Sequence, residues 1–323
     1  MNTATRSSAL RTQVGFSLIE LMISLVLGLV LIGGVISVFL SNQQSYRTNQ
    51  ALSQLQDNAR TAFEMMARDI RQAGSSPCGN ASVTNSLASL NGANNDTYIW
   101  ANNPIQGFDD ATTLTGPALP GAVNQSAIVT QGVGSISTPN IQAGASCATG
   151  APFTSAPTDI TAGDLVLACD VSQAYIYQTS GFAGGALKLA TTGLPGNSST
   201  NLACSTFGQS AYVAPYQAHY WYIAPAGAGA PAGALSLYRA RFAAGLFVSD
   251  EIIRGVRDMT LSYHRANATG FVDAATVGTA WATVDAVQIT LILRNTDQRV
   301  GSSSDSQAAP LERTFTTTVG LRK

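Results

Sequence analysis

The chain has 323 residues, with 17 Lys or Arg, 18 Asp or Glu and only 2 His. A net charge of −1 and a charged fraction of 11% exclude the basic stripe of a nucleic-acid binder. The length suits one domain of moderate size plus a long helix.

Residues 1–15, MNTATRSSALRTQVG, form a polar leader with Arg6 and Arg11 and no acid. Phe16 to Leu40 follows: 25 residues whose only charge is Glu20. As a helix this run reaches ~37 Å, enough to cross a hydrocarbon core of ~30 Å. The basic leader places the N-terminus on the cytoplasmic side and the rest of the chain across the membrane. A secretory signal would have a shorter apolar core followed by a small-residue cleavage site. Here the small residue, Gly15, precedes the apolar run. Ser17-x-x-Glu20 fits a helix-capping box, and a carboxylate is favoured near a helix N-terminus. Capping does not explain an acid inside a membrane span, where an ionised side chain costs about 2.5–3.5 kcal/mol at the bilayer centre. Such an acid implies a function and a partner.

From residue 41 the pattern becomes amphipathic. Leu52, Leu55, Ala59, Phe63, Met66 and Ile70 recur at spacings of three and four, with Asp57, Arg60, Glu64 and Arg68 on the other side. Glu64 to Arg68 is the favourable i,i+4 order for an ion pair. Gly74 and Pro77 stop the helix near Ala73. Residues 78–162 are poor in charge and read as loops with short strands, among them Thr97–Trp100 and Ala127–Thr130. Strand patterns then occupy Gly163–Asp170, Ala218–Ala224, Ala234–Phe242, Gly255–Arg265, Val284–Arg294 and Arg313–Arg322. Ala224–Ala234 and Gly301–Pro310 read as connectors. The fold class is α+β, a long N-terminal helix packed on a β-rich head.

Four cysteines, Cys78, Cys147, Cys169 and Cys204, include no Cys-x-x-Cys pair, and with only His219 and His264 no metal cluster is expected. Beyond an inner membrane, an even count implies two disulfides. Three connectivities are open; the expectation is Cys78–Cys147 and Cys169–Cys204, which join neighbours along the chain. No catalytic elbow, phosphate loop or zinc motif is present, so no enzyme activity or cofactor is expected. The two His are expected to be packed or surface residues. Tyr212, Tyr216, Tyr220, Trp221 and Tyr222 are expected in sheet packing rather than in a glycan site.

Gly15, Phe16, Ser17, Leu18, Ile19, Glu20 and Leu21 resemble the processing signature of type IV prepilins and of the pseudopilins of type II secretion. The resemblance implies cleavage between Gly15 and Phe16 by a prepilin peptidase and N-methylation of Phe16. It also implies an assembly role for Glu20, paired with the Phe16 ammonium of a neighbouring subunit. Removal of the leader leaves 15 basic against 18 acidic side chains, a net −3. The resulting divisions are the leader (1–15), the membrane half of the helix (16–40), its amphipathic half (41–74) and the head (75–323). Tyr46 to Gly74, Pro104 to Asp110 and RTFTTTVGLR are similar to the W-type minor pilins (PilW), with the J-type pseudopilins as nearest competitor and a tip adhesin as a third reading. That likeness implies a scarce subunit that primes pilus assembly near the tip. Its partners would be other minor pilins, the major pilin and the inner-membrane assembly platform. The implied location is a single pass in the bacterial inner membrane with a periplasmic head, then the pilus surface.

Overall fold

The computed structural model describes residues 15, 17–74, 83–88, 103–114, 119–134, 141–153, 155–190, 192–193, 195–199, 201–202, 206–208, 211–243, 246–295 and 310–322. The expected strand Thr97–Trp100, the residues Phe16, Cys78 and Cys204, and all of the Gly301–Pro310 connector but Pro310, lie outside them.

One α-helix, α1, runs from Leu18 to Gln72. Through Leu40 its large apolar side chains are exposed, from Leu18 and Ile19 to Phe39 and Leu40. From Leu55 onward the apolar face is buried: Leu55, Ala59, Ala62, Met66, Ile70 and Ala73 enter the first core. Helical spacing of three and four places these residues on one stripe. The exposed ion pair on the far side is Arg60–Glu64, at 2.8 Å, rather than the expected Glu64–Arg68. Glu64 lies within reach of both arginines, one helical turn away on either side. The helix stops at Gly74, whose φ of 77° is left-handed backbone and whose N–H donates to the Gln131 carbonyl.

Among the described residues, ten strands join one sheet and four form another. The ten are β1 (Val83–Asn85), β2 (Ile105–Phe108), β3 (Ala127–Val133), β4 (Gly150–Pro152), β5 (Leu165–Cys169), β6 (Ala174–Ala183), β7 (Ala186–Leu189), β8 (Tyr212–Pro225), β9 (Leu235–Ala243) and β10 (Leu246–Arg254). The main path is β10-β9-β8-β5-β6-β7-β4, with β3 also on β8, β2 on β3, and β1 parallel to β6. The second sheet has the order β12-β11-β13-β14, from β11 (Val256–Arg265), β12 (Phe271–Val272), β13 (Val284–Arg294) and β14 (Glu312–Gly320).

Alternation along β8 assigns its two faces. Trp221 and Ile223 join α1 in the first core, together with Val287, Ile289, Leu291 and Leu293 of β13. Tyr216, Ala218, Tyr220 and Tyr222 point the other way, into a second core. All five residues of β5 are buried, with Leu165, Leu167 and Cys169 in that second core and Val166 and Ala168 in a third. Gly107 of β2 has no room for a Cβ, because the Tyr263 ring of β11 lies against its Cα.

Candidate functional site

Gly15 and Ser17 flank the expected cleavage junction, and both are exposed. Glu20 lies in the first turn of α1, where the orphan N–H groups and the helix dipole favour an anion. The Leu21 N–H donates to the Ser17 carbonyl, and Ser24 Oγ donates to the Glu20 carbonyl at 2.7 Å, neither of which uses the Glu20 carboxylate. α1 is long and apolar enough to cross a membrane, and none of its most apolar 18-residue window is buried. An exposed apolar helix face has two stabilising environments, lipid and the equivalent faces of other helices.

Within the head, the polar feature that binds helix to sheet centres on Asp69. This carboxylate lies between Met66 and Ile70, inside the apolar stripe, and its side chain is 4% exposed. Trp221 Nε1 donates to its Oδ2 at 2.9 Å. Arg239 grips both oxygens, Nε to Oδ2 and Nη2 to Oδ1, each at 2.9 Å. The same Nη2 lies 2.9 Å from His219 Nε2, and His219 Nδ1 is 3.4 Å from Asp69 Oδ2. Cross-strand register assembles the group: Trp221 on β8 faces Arg239 on β9, and His219 stands two residues earlier on the same face. Burial pushes the Asp69 pKa above its ordinary value, against the opposing pull of Arg239 and the Trp221 N–H. Burial, with the positive charges of Arg239 and Arg241, holds His219 down to about 3, so the imidazole is neutral and accepts from Arg239.

His219 is thus a packed residue of the first core's polar network. His264 is part-exposed, with Nδ1 2.6 Å from Asp285 Oδ1, a contact that raises its pKa. In the aromatic group Tyr216, Tyr220, Trp221 and Tyr222 are buried, and Tyr212 is partly so. Tyr220 meets Phe247 edge-on and Tyr222 stacks on Tyr238. No cluster of three potential metal ligands occurs among the described residues.

Cys147 and Cys169 are each disulfide-bonded. They are not each other's partner: Cys169 faces the second core and Cys147 the third, on opposite sides of the sheet through β5. Cys78 and Cys204 lie outside the described residues.

Asp69 and Arg239 went unrecognised in the sequence, although one signal was available. Asp69 is three residues from Met66 and four from Ala73, an acid on the buried stripe. Nothing local marks Arg239 as its partner, because the pair is 170 residues apart.

A family profile described as Prokaryotic N-terminal methylation motif matches residues 10–36. Another, PilW: Type IV Pilus-assembly protein W, matches residues 220–323, from within β8 to the last residue. The two matches support a PilW-like type IV pilin. No curated protein and no solved structure matches it. As a pilin it is membrane-anchored, takes a pilin-like part in pilus assembly with other pilins, and carries the motif that prepilin peptidase processes. The pilin family is structural rather than enzymatic. The PilW match includes Trp221 and Arg239 but not Asp69, which α1 supplies from outside it.

Proposed function

We propose that this pilin is a minor subunit that initiates type IV pilus assembly and enters the filament in low amount near its tip. The observation that carries the reading is α1 itself. One helix presents an exposed apolar face and an acid at its start, and buries its other end in the head. In this reading peptidase cuts between Gly15 and Phe16, Phe16 is methylated, and Glu20 pairs with the Phe16 ammonium of a neighbour. Major and minor pilins and the inner-membrane platform are its partners. The head is periplasmic before assembly and on the cell surface after it. The buried aromatic group supports assembly over adhesion, since it offers no open stacking platform to a glycan.

The test is a deletion complemented with wild type or Glu20→Ala, scored by filament counts. Deletion is expected to abolish filaments, and Glu20→Ala to be processed and inserted yet to restore few of them. Normal filament numbers without the chain would reject the initiation role. Loss of attachment alone would indicate an adhesin, and a protein-secretion defect with intact pili a pseudopilin.

A further inference from the structure

We propose that Asp69 is a register pin: the directional contact that selects one axial and rotational seating of the head on α1. The rest of the helix face is poorly suited to that task. Its buried contacts include Ala59, Ala62, Ala67 and Ala73, with Leu55, Met66 and Ile70 between them. Small residues leave a smooth surface, and apolar burial is non-directional. A slip of one helical turn moves Asp69 by about 5.4 Å. At that offset its bonds to Trp221 and Arg239 are lost. Positions one turn away on either side, Met65 and Ala73, have no side-chain acceptor to replace it. The slipped state therefore leaves a buried carboxylate and the Arg239 guanidinium unpaired, which is costly.

A buried ion pair gives little net stability over a well-packed apolar replacement. Buried Trp221 and His219 and half-buried Arg239, gathered around one carboxylate, are better explained by specificity. The seating matters under the assembly reading above, on which this role rests, because subunits that contact one another through α1 must present their heads alike.

The test separates specificity from stability. A photoreactive amino acid at Met65, which packs against the first core, is cross-linked in the full-length protein in detergent and mapped by mass spectrometry. Wild type is expected to give one set of head peptides. Asp69→Leu is expected to lower Tm by about 10 °C, since it strands Arg239. The triple variant Asp69→Leu/Arg239→Met/His219→Leu is expected to recover most of that loss, yet to cross-link in more than one register and restore few filaments. Asp69→Asn keeps an acceptor for Trp221 but loses the charge. It is expected to fold with broadened cross-linking, and it serves should the triple variant not fold. A single register with wild-type filament numbers in either variant overturns the pin. Spread cross-links in a strain whose filaments do not need this chain would support the pin and reject the assembly reading.

Discussion

Single residues carry the sharpest tests. Gly15 is exposed beside the expected junction, and nothing lies within 4 Å of the position a Cβ would take. Gly15→Val therefore leaves the folded chain unstrained and should act only through the peptidase: leader retained, no mature N-terminus at Phe16, no filaments. Intact-mass measurement of the membrane fraction checks this, and mature protein from the variant would reject the cleavage site. A second test uses His219. Its folded pKa, about 3, is below the value of 6.5 expected when unfolded, so only the unfolded chain takes up the proton as pH falls below 6.5. Its contribution to stability is complete above pH 6.5 and declines toward pH 3. The groups facing it are Asp69 on α1 and Arg239 and Arg241 on β9. Asp69, with its raised pKa, acts in the opposite sense, favouring the fold at low pH and less so as pH rises through its folded value. His264, part-exposed and raised by Asp285, likewise contributes below pH 6.5 and loses that contribution as pH rises through its folded value. Comparing variant with wild type isolates His219: between pH 7 and 5, His219→Gln should lose less Tm than wild type. Equal losses would show that His219 is not held neutral.

At the scale of elements, the sequence and the fold agree where a local period decides. α1 ends at Gln72, one residue from the expected stop, because the Gly74 turn acts locally. β11, β13 and β14 fall where alternation put them, since each has one face in a core and one toward solvent. Two of the strands that went unread lack that contrast. In β6 the first six residues are all buried, and β10 is an edge strand exposed or half-buried along most of its length. Disulfide pairing is equally non-local. Ser146 bridges Thr206, the Gly144 N–H donates to Phe207, and the Leu202 N–H donates to Ala148. Cys78 and Cys204 lie outside the described residues, and two pairings fit: the expected Cys78–Cys147 with Cys169–Cys204, and Cys147–Cys204 with Cys78–Cys169. Non-reducing peptide mapping should recover Cys78–Cys147 and Cys169–Cys204; Cys147 joined to Cys204 would reject that order. A Cys78–Cys147 bond closes a loop of 69 residues, worth about 4 kcal/mol in the chain-entropy model. Growth without a thiol oxidase should accordingly lower the steady-state amount of protein.

For the whole molecule, α1 belongs to two compact units that divide between Ala51 and Leu52. The first contains the exposed apolar face; the second includes Leu55 to Ala73 as a wall of its core. The boundary between the two units thus falls inside the helix, between residues 51 and 52. A soluble head would consequently have to keep the last five or six turns of α1. A fragment beginning at Leu52 should be secreted as a monomer with a cooperative thermal transition. One beginning at Val83 leaves Trp221, Ile289 and Leu291 uncovered and should aggregate or be degraded. Recovery of the shorter fragment as a folded monomer would show that the sheets close without the helix. The membrane anchor and the head are therefore not modules that recombination could exchange at a linker, because any crossover inside residues 52–73 would hand one lineage's sheets the helix face of another.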